Sequence, residues 1–237
     1  MALCVVVNVE HYDFEPVSGA FTPASVPGWR GRGPSPDYTT WSLREYGNRV
    51  GIFRVLKVLE KYRVPATIAI DAASAKRLNF VIRECQMRGF EFAGHGHSVT
   101  QMLTSKMPEE VEREHIASAL QTIGAATGAP VTGWFGPEYG ESENTPALLA
   151  ELGVRYVLDW PNDEQPYRMN VPKGELVSLP TLIDLDDVYA HWHRRITIWR
   201  WERSVKEAFE TLYNDGATSG RLLTLSLHPW LIGQPHR

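Results

Sequence analysis

The stretch FEFAGHGHSVTQ, residues 90–101, carries an alternating apolar run to Gly94 and then places His95, Gly96, His97 and Ser98 in succession. Two imidazoles on a glycine-flanked turn are raw material for metal binding or acid–base work. The glycines let a ligand approach the backbone closely. Similar groups stand where other apolar runs stop. Asn8, Glu10 and His11 end the first, Asp71 ends PATIAI, Trp134 precedes Gly136-Pro137, Asp159-Trp160 ends RYVL, and His228-Pro229 ends RLLTLSL. Each alone has an ordinary reading, a capping Asp or a satisfied rim His. Gathered at one end of a set of strands, they describe an enzyme.

The elements that must gather them follow from the pattern. LCVVVNVE (residues 3–10) is a continuous apolar run, the mark of a strand buried on both faces. Residues 12–42 are too rich in Pro and Gly for regular structure and read as a lid or binding loop; two arginines in WRGRGP, Arg30 and Arg32, read as part of its solvated surface. A helix is expected over 43–62, with Val50, Phe53, Leu56 and Leu59 near helical spacing. Strands follow at 65–71, 90–94, 131–135, 155–159, 176–180 and 221–228, and helices at 74–88, 108–126, 145–152 and 204–214. Seven strands alternating with helices, without linker or repeat, predict right-handed crossovers and a parallel sheet. Residues 1–237 read as a single domain whose sheet closes into a barrel or nearly so, with chemistry at the C-terminal strand ends.

Composition bounds the function. With 43% apolar residues the chain builds a full core, and a net charge of −4 without a basic face excludes a general nucleic-acid binder. Cys4 and Cys85, far apart in apolar contexts, read as buried free thiols in a reducing compartment. The opening MALCVVVNVEHYD lacks a basic n-region and a membrane-length run, so it reads as a core strand, and the expected location is cytoplasmic.

The motifs resemble those of the polysaccharide deacetylase-like, or NodB-homology, family, and the likeness runs over nearly the whole chain. The family fold is a distorted (β/α) barrel, which implies one here with about seven parallel strands. The first family motif pairs two carboxylates, a base and a metal ligand; this chain has Glu10-His11. The second has two metal-ligating histidines separated by three residues; here they are His95 and Val99. The third, an Arg before a Pro, meets GWFGP, with Phe135 or Gly136 where the Arg would stand. Asp159-Trp160 is similar to the fourth motif and Leu227-His228 to the fifth, which supplies a general acid. NVEHYDFE, GHGHS, NDEQPY and HPWLIGQPHR look like the branch that opens small cyclic amides, the metal-independent allantoinase-type enzymes and the cyclic imide hydrolases. Relatives continue beyond the GQPHR stretch, so the chain is expected to lack the family's C-terminal segment.

Amide hydrolysis needs an activated water, a stabilised oxyanion and a proton for the leaving nitrogen. Glu10 is the expected base, its pKa raised toward neutrality at a partly dry barrel mouth, and His228 the expected acid. A catalytic zinc needs three protein ligands. His11 and His95 are two; Val99 cannot ligate, and His97, on the same face as His95 if the backbone stays extended, is either the third ligand or a substrate contact. The expected cofactor is therefore a divalent metal, zinc first, with metal-independent catalysis as the alternative. Trp134, Tyr139, Asp159, Trp160 and Asn162 are the candidate substrate contacts, with Tyr167 and Asp163 beside them. His191 and His193 alternate as on a strand, and His115 reads as solvated helix surface. The expected substrate is a small cyclic amide or imide, with no nucleic-acid or membrane partner and with homo-oligomerisation open. A metal-dependent carbohydrate N-deacetylase and a non-catalytic binding module on the same fold are the alternatives.

Overall fold

The structure, a computed structural model, describes residues 1–15 and 36–237, so most of the 12–42 segment, with Arg30 and Arg32, lies outside the described residues. Strands β1 (Ala2–Val9), β2 (Thr67–Ile70), β3 (Glu91–Gly94), β4 (Gly133–Trp134), β5 (Tyr156–Val157), β6 (Tyr167–Arg168), β7 (Val177–Ser178) and β8 (Leu222–Leu227) form one curled sheet. Its order is β6-β7-β5-β4-β3-β2-β1-β8. Every neighbouring pair is parallel except β6 with β7, a short antiparallel edge that the sequence pattern did not suggest. Across the gap, Leu222 N–H donates to Glu164 O at 2.8 Å and Thr224 Oγ1 to Pro180 O at 2.8 Å. Those bonds draw β8 toward the segments after β5 and β7, giving the distorted barrel expected.

Alternation along the strands sorts the side chains into two layers. Val5, Val7, Val9, Ile68, Ile70, Trp134 and Val157 belong to the large core between sheet and helices. Val6, Ala69, Phe135 and Leu158 make a smaller cluster inside the curl. Glu10 stands four residues beyond Val6 and therefore on the inner face. The same parity carries Ala93 to His95 and Thr224 through Ser226 to His228.

Helices α1 (Tyr38–Tyr46), α2 (Ile52–Tyr62), α3 (Ala72–Arg77), α4 (Asn79–Met87), α5 (Glu109–Thr127), α6 (Thr145–Glu151) and α7 (Ile198–Asp215) surround the sheet. The helix expected over 43–62 is two, separated by a π-helical turn over Gly47–Gly51. That wider turn shifts the helical phase, so Val50 and Phe53 are exposed while Ile52, Val55, Leu56 and Leu59 are buried. The helix expected at 74–88 breaks at Leu78, and α7 starts six residues earlier than its pattern indicated, capped by Thr197. His191 and His193 lie on a π-helical turn, Val188–His193, not on a strand. No described helix is long and apolar enough to cross a membrane.

The π turn has a packing reason. A Cβ on Gly51 would lie 2.0 Å from Pro229 O, and one on Gly47 2.6 Å from Trp230 N. The two glycines thus let the chain after β8 press against the α1–α2 junction. Gly51→Ala is expected to destabilise the protein by about 1–3 kcal/mol, the usual scale of overpacking, as measured by thermal unfolding. A melting temperature equal to wild type would show that this contact yields freely.

Candidate active site

The inner-face residues at the C-terminal strand ends converge on Glu10. Its carboxylate is buried, with Oε2 2.8 Å from Arg44 Nη1 and Oε1 3.4 Å from His95 Nε2 and 3.6 Å from His228 Nε2. Asn48 Nδ2 donates to its backbone carbonyl at 2.9 Å. Burial alone would raise its pKa, but the His228 charge, the His95 hydrogen bond and the Arg44 charge together hold it down at about 2. The upward shift expected of Glu10 is therefore reversed: three basic groups surround it, His95 and His228, which the sequence pattern brought into view, and Arg44, which it did not.

His228 is held from behind by consecutive aspartates. Asp187 Oδ1 lies 2.6 Å from its Nδ1, and Asp187 Oδ2 accepts its backbone N–H at 2.8 Å. Asp186 Oδ2 is 4.0 Å from the same Nδ1. Burial opposes the imidazolium, yet Asp186, Asp187 and Glu10 raise His228 to about 10. Its Nδ1–H is spent on Asp187, and Nε2–H faces Glu10. Asp186 accepts the Val188 and Tyr189 N–H groups at 2.8 and 3.1 Å and the Tyr139 hydroxyl at 3.0 Å, so it anchors the far wall. His95 donates Nδ1–H to Phe135 O, since a carbonyl only accepts, which leaves Nε2 toward Glu10. Glu10, His95, Glu138, Tyr139, Tyr189 and His228 are among the walls of a small pocket partly open to solvent.

The other expected site residues go elsewhere. His11 receives Arg77 Nη1 at its Nδ1 and sets Nε2 3.4 Å from Asp13 Oδ1; its backbone N–H donates to Asp71, which also caps α3. Gly96, at φ +66°, ends the extended backbone after β3. His97 consequently turns to Ser118 Oγ, 2.9 Å away, and stacks edge-on against His115. His115 is thus not solvated; burial pulls its pKa down to about 4. Val99 is fully buried. With an arginine against His11, His97 facing a helix and a valine in the remaining place, the residues at the family's ligand positions do not fit a metal. The one described group able to gather three donor atoms is Asp186, Asp187 and His228, and there the His228–Asp187 hydrogen bond already occupies two of them.

Among the substrate candidates, Tyr139 lines the pocket. Trp134 faces outward into the helical layer, as alternation on β4 requires, and the next residue, Phe135, takes the inner position. Asp159 Oδ1 accepts the Gly136 N–H at 2.8 Å and so positions the loop after β4. Trp160 donates to Glu141 at 2.9 Å, and exposed Asn162 accepts the Tyr167 hydroxyl at 2.9 Å. None of these three lines the pocket. Arg44, Glu138, Asp186, Asp187 and Tyr189 escaped the sequence reading. The adjacent aspartates of LIDLDDVY were a visible signal; Arg44, on the helix after the loop, left none.

Arg44 completes the charge balance and lies over the Trp230 ring, 4.1 Å from its centroid. Removing one partner of a buried ion pair strands the other, a loss of about 3–5 kcal/mol. Arg44→Ala is expected to show a loss of that order in chemical denaturation, with Arg44→Lys between it and wild type. Equal stability of Arg44→Ala and wild type would show that Glu10 does not depend on this guanidinium.

Comparison with known proteins agrees with this geometry. Residues 42–157 match the family model for polysaccharide deacetylase. A peptidoglycan deacetylase of Helicobacter pylori is 30% identical over 153 residues, 62% of this chain, which spans half of that relative's length. The crystal structure of a probable polysaccharide deacetylase from Pseudomonas aeruginosa PAO1 superposes with a TM-score of 0.86 at 28% identity, covering 99% of this chain and 80% of that one. The crystal structure of Puue allantoinase gives the same score and identity over 99% of this chain and 79% of that one. With a polysaccharide deacetylase match over residues 42–157, just under half of the chain, and the barrel of these neighbours, the chain is similar to the polysaccharide deacetylase-like family.

Proposed function

We propose that the protein hydrolyses a carbon–nitrogen bond in a small cyclic amide or imide, with Glu10 as base and His228 as acid. The observation that carries this reading is the buried Glu10 carboxyl 3.6 Å from Nε2 of a His228 ring whose other nitrogen is held by Asp187. Each group already holds the protonation state its role requires. Glu10 takes a proton as water adds to the carbonyl carbon and the carbonyl π electrons move to oxygen. His228 then gives its Nε2 proton to the nitrogen as the C–N bond breaks. The protonated Glu10 passes its proton to the neutral His228 Nε2, which restores the resting pair. No step runs through a metal.

The pocket lining supports a small ring over a polymer: Phe135, Tyr139 and Tyr189 stand beside Glu10 and His228, aromatic walls with a few convergent polar groups. The loop at 160–167, expected to help enclose the substrate, does not contribute, since Trp160 and Asn162 bond away from the pocket. The likeness to Puue allantoinase points the same way, whereas the likeness to the Helicobacter pylori peptidoglycan deacetylase supports the second reading, removal of an acetyl group from an N-acetylated sugar. Because one fold hosts many substrates, activity decides between them. Ring opening of succinimide, hydantoin, dihydrouracil or allantoin, absent in Glu10→Gln, is the expected outcome of a side-by-side assay. Acetate release from chitooligosaccharides without any ring opening would contradict it.

A further inference from the structure

Glu138 lies in the pocket but has no part in the acid–base steps. It follows Gly136-Pro137 in a turn where two consecutive non-glycine residues, Glu138 at φ 55° and Tyr139 at φ 59°, take the left-handed backbone. The other described non-glycine residues with such angles, Arg63 and Arg195, stand alone, and Arg63 merely ends a helix. Left-handed pairs of residues with side chains are strained, and they persist where surrounding structure over-determines them.

Here the surroundings do so on every side. The Gly136 N–H is held by Asp159, and the Tyr139 hydroxyl by Asp186. Gly140 packs so closely on the segment after β3 that a Cβ would fall 2.2 Å from Met102 Cγ. The result aims the Glu138 carboxyl into the space bordered by Glu10, His95 and His228. Among the described residues it finds no hydrogen-bond or ion-pair partner. Arg44 and His228 supply positive charge nearby, and Glu10 and Asp186 negative charge. Burial pushes the carboxyl up from its usual range.

We propose that Glu138 is a specificity-determining residue, its carboxyl accepting a hydrogen bond from an N–H of the substrate that lies away from the bond being broken. This rests on the small-ring reading above and narrows it to neutral rings with a second N–H, as in hydantoins, dihydropyrimidines and ureides. An anionic ring would meet three carboxylates, Glu10, Asp186 and Glu138, around one small pocket. A polar acceptor left without its donor in such a pocket is costly, which is how such sites reject the analogue lacking the N–H.

The test uses hydantoin, 1-methylhydantoin, which lacks the distal N–H, and succinimide, which has none, against wild type and Glu138→Gly. Glycine suits the left-handed backbone, so the variant is expected to fold with a melting temperature equal to or above wild type. Wild type is expected to favour hydantoin over 1-methylhydantoin by at least ~10-fold in kcat/KM, the scale of one good hydrogen bond. In Glu138→Gly that ratio should fall to about one, with hydantoin losing most and succinimide staying within about three-fold. Glu138→Gln, which keeps a carbonyl acceptor, should retain part of the ratio. A wild-type protein that opens succinimide but not hydantoin, or a variant that keeps the preference, would overturn the role of Glu138 and leave the small-ring reading standing. Opening of no ring at all would overturn both.

Discussion

A carboxylate is buried at the end of the first strand, and the rest of the site exists to make that tolerable. An isolated buried charge is costly unless paired and hydrogen-bonded. Glu10 is paired with Arg44, faced by His95 and balanced by His228. Each partner comes from a different part of the chain, so the requirement reaches across the fold. His228 must be protonated to serve, and Asp187 and Asp186 keep it so. Arg44 must reach over from α1, and the Gly47–Gly51 turn lets that helix pack against the chain leaving β8. A single electrostatic constraint thus links the first strand, the first helix and the last strand.

That constraint separates this chain from the motif pattern it resembles. Where the pattern has an Arg before the proline, the turn here holds Gly136, and the guanidinium at Glu10 comes from Arg44 instead. Where it has a second ligating histidine, Val99 is buried in the protein. His11, in the place of a carboxylate, is drawn to Arg77 and Asp13. What persists is the pairing of Glu10 with His228 and the barrel that carries it.

The barrel was legible because long apolar runs, glycine stops and helix caps all agree over most of the chain. Its short strands and the β6 edge were not, because two-residue ladders carry too little pattern to register. Glu10, His95 and His228 could be found from the sequence since each directly follows a strand. Strand parity would have refined the reading further: Val6 inside implies Glu10 inside, and Trp134 outside implies Phe135 inside. The same rule misled at His97, because a single left-handed glycine ended the extended backbone on which it depends. Arg44 and Glu138 were hidden for a different reason. Their positions are set by a π turn and a strained turn, and both are products of tertiary packing that no local periodicity encodes.

The central claim is that His228 rests as an imidazolium beside an ionised Glu10. A group whose folded pKa lies above its unfolded value stabilises the protein fully below about 6.5, and loses that contribution as pH rises through the folded value near 10. The most direct measurement is an NMR titration of the His228 ring, assigned with His228→Gln, from pH 5 to 10. The account predicts that the ring stays protonated through pH 8 and beyond. A ring that is neutral at pH 7 would contradict it, because the proton donor and the partner of the buried carboxylate would then both be missing.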